Sequence, residues 1–507
     1  MDNIFIRRMG ENRIWFLRMS LIYGGLFTVC LYRNPSGITF PLMTAVLLIF
    51  SVIFLKKSGI TIQKGSIRYF AGIMLLGIST VMTDNGFFHF FNSVGIILLF
   101  MMVMAHQLYR DQEWGFTEYV KNFFIMVWTV LISVAEPFRS VEKIPGENKG
   151  YNLREKTEDN QKRALKYRHI VPVLWGAAAA VLMLLIVVPL LITSDRIFSE
   201  IFTGIFDKFN PINIIRKIDF WNIIGLIFTF IFGTLSLYAF IVGLLKMNLK
   251  GKGNIRPGKA NPVGGITFTG ILAAVYAFYS GIQILFLFMR LDTGLPDGIT
   301  YSQYAHEGFW QLLFVSLINF GAVLICVRIF DENRILKMLL CLISVCTCIM
   351  IVSAAYRMML YVNEYNLTFL RVLVLWFLTV LMIIFFGVIY SIYRKSFGLF
   401  RYMTAVVSVC YILLSFSRPD ALIARYNIDN TEELNDGDLY YLTEGLSYDA
   451  ASQIAELDGL QGENSVASYY LECYFEDILN ENEDMGIRTW NYSRARATEA
   501  AESWFQE

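Results

Sequence analysis

The sequence is poor in the residues that carry most enzyme chemistry and bind most metals. Its 507 residues include four histidines and seven cysteines, and neither type recurs at the spacing of a zinc site. Residues 253–260 resemble a phosphate-binding loop, but Ala260 stands where a hydroxyl should bind Mg²⁺, and an apolar run precedes the loop instead of a strand. We therefore expect no metal, no cofactor and no catalytic residue, and the sequence leans away from an enzyme.

Charged residues are also scarce, at 17%, and they are unevenly distributed. Residues 418–507 contain five arginines and no lysine against 20 acidic residues, whereas the other 417 residues contain 38 basic and 22 acidic residues. A nucleic-acid-binding protein needs a basic soluble face, and here the soluble tail is acidic. This distribution excludes nucleic acid as a partner.

Long apolar runs are the dominant feature of the chain. Hydrophobic residues make up 56% of it, and a helix needs about 20 of them to cross a bilayer, because lipid offers the backbone no hydrogen-bond partners. The runs comprise residues 14–32, 38–55, 69–82, 87–105, 170–193, 221–245, 264–289, 308–327, 335–355, 372–390 and 397–416. We expect an all-α, polytopic integral membrane protein with about eleven transmembrane helices.

The loops between these runs alternate between rich and poor in lysine and arginine. With the N-terminus in the cytoplasm, the inner segments hold 29 basic residues and the outer segments hold 13. Cytoplasmic loops carry the excess of positive charge in membrane proteins. The alternation therefore predicts a multi-pass protein of the cell membrane, with a cytoplasmic N-terminus and an extracytoplasmic C-terminus.

Four regions follow from these patterns. We expect residues 1–136 to form membrane helices plus a helix on the inner surface, residues 137–169 a basic cytoplasmic linker, residues 170–417 a seven-helix membrane core, and residues 418–507 an acidic extracytoplasmic tail. The inner-surface helix is predicted within residues 113–136, whose apolar part is short for a span, with a re-entrant segment as the alternative. Polar residues follow one side of it: Glu118, Asn122, Thr129, Ser133 and Glu136.

The tail keeps enough aromatic and aliphatic residues to fold. Four short helices are predicted in it, at residues 439–446, 448–457, 465–479 and 490–505. Cys473 is its single cysteine, so no disulfide can form within the tail. A domain of this size is marginal without other support, and we expect docking on the membrane domain to stabilise it.

Polar side chains concentrate at the outer ends of three predicted helices. Thr300 and Gln303 form a capping-box pattern that begins one of these helices, and Arg357, Tyr361 and Glu364 recur on one face of the next. The candidate cluster comprises Arg290, Tyr301, Tyr304, Glu307, Arg357, Tyr361, Glu364, Tyr365 and Arg371. It is either an aromatic belt with ion pairs that hold the helix ends together, or a binding site for a lipid headgroup, a glycan, a peptide or the acidic tail.

Four stretches of the sequence resemble a family of bacterial multi-pass membrane proteins. They are residues 295–312, 353–371, 418–427 and 490–494. The family is known as a domain of unknown function of the 4153/4173 type, and the resemblance covers residues 264–493. It implies a polytopic envelope protein with an extracytoplasmic helical tail, and it supplies no reaction, cofactor or catalytic residue. A basic residue is usual in the family where this chain has His306.

Three functions are consistent with this sequence. We expect a non-catalytic envelope sensor, scaffold or assembly partner that contacts membrane lipids and envelope proteins. The alternative is a transporter or lipid flippase with an outer-facing site near Tyr301, Glu307, Arg357 and Arg371. A third hypothesis is a membrane-embedded transferase acting on a lipid-linked substrate. The apolar runs disfavour ion-coupled transport, because only Arg18 lies well inside one of them.

Overall fold

A computed structural model describes residues 11–109, 114, 116–133, 220–246, 260–285, 301–394, 397–430, 435–457, 465–483 and 485–506. These residues are almost entirely helical, and β structure within them is limited to an isolated bridge between Ala260 and Phe330. The predicted span at residues 170–193 and the predicted linker at residues 137–169 lie outside the described residues. The chain divides into two compact units, Met1–Phe16 with Arg33–Ser133 and Phe240–Glu507, and Leu17–Tyr32 with Val134–Ala239.

Ten helices of the described part of the chain are long and apolar enough to cross a membrane. They are α1 (Arg13–Leu31), α2 (Thr39–Lys57), α3 (Ile67–Met82), α4 (Gly86–Leu108), α6 (Phe220–Lys246), α7 (Pro262–Gln283), α8 (Tyr301–Ile329), α9 (Arg334–Tyr365), α10 (Phe369–Tyr393) and α11 (Leu399–Phe416). Helix α5 (Phe116–Ser133), between α4 and α6 in the chain, is not among the ten. Each of the ten corresponds to one of the predicted runs. The chain is a multi-pass, all-α membrane protein.

Asparagine side chains begin three of these helices. Asn85, Asn261 and Asn333 each accept a hydrogen bond from the backbone N–H two residues later, at 2.8 to 3.0 Å. The first N–H groups of a helix have no partner within the helix, and a capping amide oxygen supplies one. These caps fix where α4, α7 and α9 start.

Helix α9 extends beyond its apolar run, as the helical spacing of Arg357, Tyr361 and Glu364 predicted. The apolar run ends near residue 355, but the helix continues to Tyr365 and has 32 residues. A helix of that length extends about 48 Å, while the hydrocarbon core is about 30 Å thick. The last turns of α9 therefore project beyond the bilayer. The helix ends at Asn366, whose positive φ of 61° is incompatible with a continued right-handed helix.

Small residues let helices approach closely within each unit. In the first unit, a Cβ atom on Gly77 of α3 would lie 2.6 Å from Oγ1 of Thr44 on α2. In the second unit, a Cβ atom on Gly24 of α1 would lie 2.0 Å from Oγ1 of Thr234 on α6. Close backbone approach at glycine commonly stabilises helix association in lipid, where burial of apolar surface contributes little to the free energy of association.

The tail is a helical subdomain with a core of its own. It consists of α12 (Pro419–Asn430), α13 (Asp436–Glu444), α14 (Ala451–Ile454), α15 (Ser465–Asn482) and α16 (Tyr492–Trp504), with 3₁₀ turns at Tyr448–Ala450 and Ala455–Leu457. Ile423, Leu442, Ile454, Phe475 and Ile478 are buried at its centre. All seven cysteines of the chain are free, so packing and docking hold the tail together.

The sequence predicted the tail helices with one omission. Three of the four predicted segments are helices, and residues 448–457 combine short 3₁₀ and α turns. Helix α12 was not predicted, because it follows α11 after only two residues and looks like its continuation. Arg418 has φ of 49°, so the right-handed helix cannot continue through it. Pro419 and Asp420 then favour the first turn of a new helix.

Candidate functional site

The predicted cluster at the helix ends divides into parts in the structure. Arg290 lies outside the described residues. Tyr301, Tyr304 and Glu307 belong to the first turns of α8, where the side chains are outside the described part of the structure. The other five members, Arg357, Tyr361, Glu364, Tyr365 and Arg371, are described, and all except Glu364 fall into two groups.

Arg371 caps the end of α9. Its Nη1 atom donates hydrogen bonds to the carbonyl oxygens of Tyr365 and Asn366, and its guanidinium lies 4.3 Å from the ring centroid of Tyr361. The rings of Tyr361 and Tyr365 are 5.0 Å apart. A cation near the last carbonyls of a helix offsets their partial negative charge. Arg371 therefore fixes the shape of the loop that follows α9.

Arg357 forms the second group, with a partner on α7 that the sequence did not indicate. It is 8% exposed, and its Nη2 atom donates to Oε1 of Gln283 at 3.4 Å. The same oxygen accepts a hydrogen bond from Ser353 at 2.6 Å. Glu364, which was predicted to share a helix face with Arg357, is exposed. Arg357 thus connects α9 to the end of α7.

The loop after α9 is one of three loops that bind the tail. The backbone N–H of Leu367 donates to Oδ1 of Asn427 at 2.8 Å, and Nδ2 of Asn427 donates back to the carbonyl of Leu367 at 2.9 Å. The N–H of Phe369 donates to the hydroxyl of Tyr441 at 2.9 Å. The predicted residues Tyr361 and Arg371 therefore support a loop that the tail recognises through its backbone.

The loop between α3 and α4 is the second loop that binds the tail, and its contacts are more polar than those of the loop after α9. Oγ1 of Thr83 donates to Oδ2 of Asp449 at 2.5 Å, and the N–H of Asp84 donates to Oδ1 of Asp449 at 2.9 Å. Nδ2 of Asn85 donates to Oδ2 of Asp420 at 2.7 Å. Both tail carboxyl groups are 1% exposed. Two buried acids of the tail thus accept hydrogen bonds from three consecutive residues of one loop.

The loop between α1 and α2 is the third, and α16 begins against it. Nδ2 of Asn491 donates to the carbonyl oxygens of Ser36, Thr80 and Thr83 at 3.0 to 3.4 Å. The N–H of Ile38 donates to the carbonyl of Trp490 at 2.9 Å. Asn491 is fully buried and also caps α16. This one amide links two docking loops to the last helix.

We call residues 33–38, 83–85 and 366–368 the docking loops, and the side of the membrane domain that carries them the tail face. The helices alternate in direction, so the residues near Lys57, Leu108, Leu244, Phe330 and Leu399 lie at the opposite side, which we call the far face. The hydroxyl of Tyr109 donates to the carbonyl of Leu244 at 2.6 Å, which agrees with this assignment.

Negative charge exceeds positive charge in the centre of the dock. Asp84, Asp420 and Asp449 are close enough to interact electrostatically. Nε of Arg494 lies 2.6 Å from Oδ1 of Asp84, and Arg418 donates to the backbone carbonyl of Asp449 at 3.1 Å. The carboxyl groups of Asp84 and Asp420 lose contact with water when the tail docks, and that loss disfavours their ionised forms.

Two of these acids have raised pKa values. Burial raises the pKa of Asp84 above its ordinary value of 3.8, and the attraction of Arg494 opposes this effect without cancelling it. Burial also raises the pKa of Asp420, against the hydrogen bonds that it accepts from Ser447 and Asn85. The second carboxyl oxygen of Asp420, Oδ1, is buried and accepts no hydrogen bond. Asp84 and Asp420 therefore bind a proton more tightly in the docked state than in the released state.

The polar contacts continue from the dock into the membrane domain. Nδ2 of Asn92 on α4 donates to Oγ of Ser79 and to Oγ1 of Thr80, both at 3.1 Å. Its Oδ1 atom accepts hydrogen bonds from Tyr411 at 3.0 Å and Ser415 at 3.4 Å. Asn92 lies about 9 Å along α4 from its first residue. This network joins α3, α4 and α11 directly beneath the tail.

The arrangement is suited to holding the tail in place. Its donors and acceptors are mostly paired with one another, and they connect the last helix of the chain to loops near its start. In the described part of the chain, no group of three or more His, Cys, Asp or Glu side chains is arranged to hold a metal ion.

Sequence reasoning missed the acids of the dock, although signals for them were present. Asp420, Asn491 and Arg494 stand in the stretches that carry the family resemblance, where they were noted without a role. Asp84 and Asn85 form a short polar interruption between two apolar runs. Asp449 carried no comparable signal, because an acid in an acidic tail is not distinctive.

Comparison with known families gives one match. The sequence matches the profile of a domain of unknown function, DUF4153, over residues 70–457. The match begins in α3, earlier than the resemblance noted from the motifs, and includes the acids at 84, 420 and 449. No curated protein matches the chain, and no solved structure matches it.

Proposed function

The chain belongs to the DUF4153 family, and on that premise we propose that it is a non-catalytic scaffold of the cell envelope. In this proposal, the membrane domain holds the acidic tail in a fixed position on the outer surface, where the tail receives a protein partner. The family is one of unknown function, so the support comes from the dock itself.

The observation that carries the proposal is the burial of Asp420, Asp449 and Asn491 against the docking loops. Buried polar groups cost free energy unless they are paired. A tail that served as a flexible tether would gain nothing from three such groups, whereas a tail held in one orientation requires specific pairing. The dock therefore favours a role in which the orientation of the tail matters.

The orientation in the membrane is part of the proposal. With the tail face outside, the docking loops and the tail belong to the segments that hold 13 basic residues, and the far face belongs to those that hold 29. Cytoplasmic loops carry the positive excess. We infer that the N-terminus is cytoplasmic and that the tail is extracytoplasmic.

The exposed side of α15 is the surface that we expect a partner to contact. Tyr469 is 64% exposed, Glu472 and Glu476 are exposed at helical spacing along the same side, and Glu483 is exposed just beyond the end of the helix. Exposed charge of one sign speeds association with a surface of the opposite sign. A partner with a basic patch fits this side of the tail.

The experiment is site-specific photo-crosslinking in cells. A photoreactive amino acid at Tyr469 should give one discrete protein adduct, and the yield should fall several-fold in the Asn491→Ala variant, whose tail is released. The same group at Phe278, an exposed residue of the membrane helix α7, is the control and should react with lipid. Absence of a protein adduct at Tyr469, or an adduct that survives Asn491→Ala unchanged, would contradict the scaffold.

A buried cation supports a second candidate, a transporter or flippase. Arg357 is buried near the tail-face end of α9, against Gln283 at the end of α7, and buried ionisable groups between membrane helices commonly mark transport pathways. Proteoliposomes with a fluorescent lipid in one leaflet distinguish the candidates. If the protein is a scaffold, vesicles that contain it should translocate the lipid no faster than vesicles without protein. Translocation by the native protein that is lost in Arg357→Gln would favour the flippase.

A further inference from the structure

Helix α5 (Phe116–Ser133) is the predicted inner-surface helix, and its first turn contacts two spans. Glu118 pairs with Arg328 near the end of α8, with 3.2 Å between Oε1 and Nη2. Tyr119 stacks on Phe400, the second residue of α11, with 4.1 Å between ring centroids. Trp114 packs against Tyr119 at 5.1 Å and anchors the approach to the helix.

The last turn of α5 contacts a third span. A Cβ atom on Gly243, near the end of α6, would lie 3.1 Å from Oγ of Ser133 and 3.3 Å from the Cα atom of Val130. The backbones of the two helices therefore touch at this point. Gly243 is three residues from Lys246, where α6 ends.

These contacts determine how α5 lies relative to the bilayer. Arg328, Phe400 and Gly243 all lie at the far face, within about 5 Å of the ends of their helices. The contacts at the two ends of α5 are about 20 Å apart along its axis. A helix that crossed the membrane would carry one of its ends to a much greater depth. Helix α5 therefore runs nearly parallel to the membrane plane.

The side of α5 turned away from the protein is apolar. Asn122, Met126 and Ser133 are buried against the spans, while Phe124 is 67% exposed and Trp128 is 66% exposed. Burial of one such side chain stabilises by about 1.5 to 3 kcal/mol, so a water-facing orientation would forgo several kcal/mol. Aromatic and aliphatic residues opposite a polar side are typical of helices that lie in the lipid interface.

We propose that α5 is a lipid-binding surface helix of the leaflet at the far face. Phe124 and Trp128 enter the acyl chains of that leaflet, and Lys121, which is exposed beside them, contacts anionic headgroups. The occupant of the apolar side is lipid. This inference does not depend on what the tail binds, and it gives the protein a second interaction surface on the opposite side of the membrane.

The test uses nitroxide labels on cysteines placed at Lys121, Phe124 and Trp128, one at a time, in a variant without native cysteines, in nanodiscs with anionic lipid. Collision with oxygen and with a water-soluble nickel complex reports depth. Labels at 124 and 128 should lie about 5 to 10 Å below the phosphates, and the label at 121 at their level. A label at Ile271, exposed in the middle of α7, is the control and should lie about 15 Å deep.

Each alternative has its own signature. Depth that increases steadily from 121 to 128 toward the bilayer centre would mean a crossing helix. Strong collision with the nickel complex at 124 and 128 would mean a surface facing water, and dipolar broadening between labels would mean a second copy of the chain. Any of these results would overturn the proposal.

A second measurement needs no cysteine replacement. Trp128 fluorescence, taken as the difference between the native protein and Trp128→Phe, should be quenched several-fold more by lipids brominated near the headgroup end of the chain than by lipids brominated at the chain end. The reverse order would also overturn the proposal.

Discussion

Arg494 in the last helix forms an ion pair with Asp84, which precedes it by 410 positions in the chain. Nε of the arginine and Oδ1 of the aspartate are 2.6 Å apart, and the carboxyl group is 10% exposed against 37% for the arginine. The pair joins α16 to the loop between α3 and α4. It therefore ties the stability of the tail to the N-terminal spans.

Removal of this arginine should destabilise the docked protein. Arg494→Gln leaves Asp84 in its buried position without its charged partner, and we expect a loss of about 2 kcal/mol, the scale of a hydrogen bond to a charged group. Thermal unfolding in detergent measures the loss, and limited proteolysis should show faster cleavage of the tail.

Arg496 offers a matched control for that change. It pairs with Glu499 on the exposed side of the same helix at 3.2 Å, and pairs of that kind contribute less than about 1 kcal/mol. Arg496→Gln should therefore leave unfolding almost unchanged. The double variant Asp84→Asn with Arg494→Gln should lose less than the sum of the two single variants. Additive losses would mean that the pair does not contribute to docking.

Tail docking should strengthen as the pH falls. The pKa values of Asp84 and Asp420 are raised in the docked state, so that state binds protons more tightly than the released state. Its added stability is complete below the ordinary pKa of 3.8 and is lost as the pH rises through the raised values. Protease protection of the tail in nanodiscs should increase from neutral pH toward pH 4.

Asp420→Asn tests the source of that dependence. The amide keeps an oxygen that can accept from Asn85 and Ser447, and it resembles the protonated acid. We expect protection at neutral pH to rise and its pH dependence to weaken. The other charged or titratable groups around this acid and its partners include Asp84, His89, Arg418, Tyr441, Asp449, Tyr448, Tyr474 and Arg494. If the pH dependence of protease protection were identical to that of the native protein, one of these other groups, and not Asp420, would be its source.

The polar network around Asn92 should couple two spans. Asn92→Ala and Tyr411→Phe both remove the hydrogen bond of 3.0 Å between the two residues. Interhelical hydrogen bonds in membrane proteins contribute about 0.6 kcal/mol on average and up to about 1.7 kcal/mol. A double-mutant cycle by unfolding in detergent should give a coupling in that range, and a coupling of zero would mean that the bond contributes no stability.

The orientation is testable on whole cells. Single cysteines at Lys252 and Asp436, in a variant without native cysteines, should differ in reaction with a thiol reagent that does not cross membranes. We expect labelling at 436 and none at 252, because the positive excess lies on the side of Lys252. A reporter fused near Gly150 should be on the side of Lys252, since α5 does not cross. Labelling at 252 alone would reverse the topology.

Much of the membrane domain could be predicted from the sequence, because the bilayer imposes simple rules. A run such as residues 372–390 has to be helical in lipid, and α10 coincides with it closely. Hydropathy does not give the end of α9, since its last turns lie beyond the apolar run; the helical spacing of Arg357, Tyr361 and Glu364 was the signal for them. Polar turns beyond the bilayer follow tertiary contacts, which hydropathy does not report.

The candidate site was harder to predict than the fold. The aromatic and charged residues near Tyr361 stood out because they occur at helical spacing, which is a local signal. The contacts of Asp449 with Thr83 and of Asn491 with Ser36 join residues more than 360 positions apart. Nothing in the spacing of such residues reveals a long-range pair when a single sequence is read.

The ion pair between Asp84 and Arg494 can form only late in the synthesis of the protein. The loop with Asp84 is synthesised first, and at about 5 to 20 residues per second the ribosome needs roughly 20 to 80 s more to reach Arg494. During that interval the loop has emerged but its partner does not yet exist. The nascent protein is therefore accessible to quality-control proteases until α16 has been synthesised. A chain truncated before Asn491 cannot complete the docking of its tail.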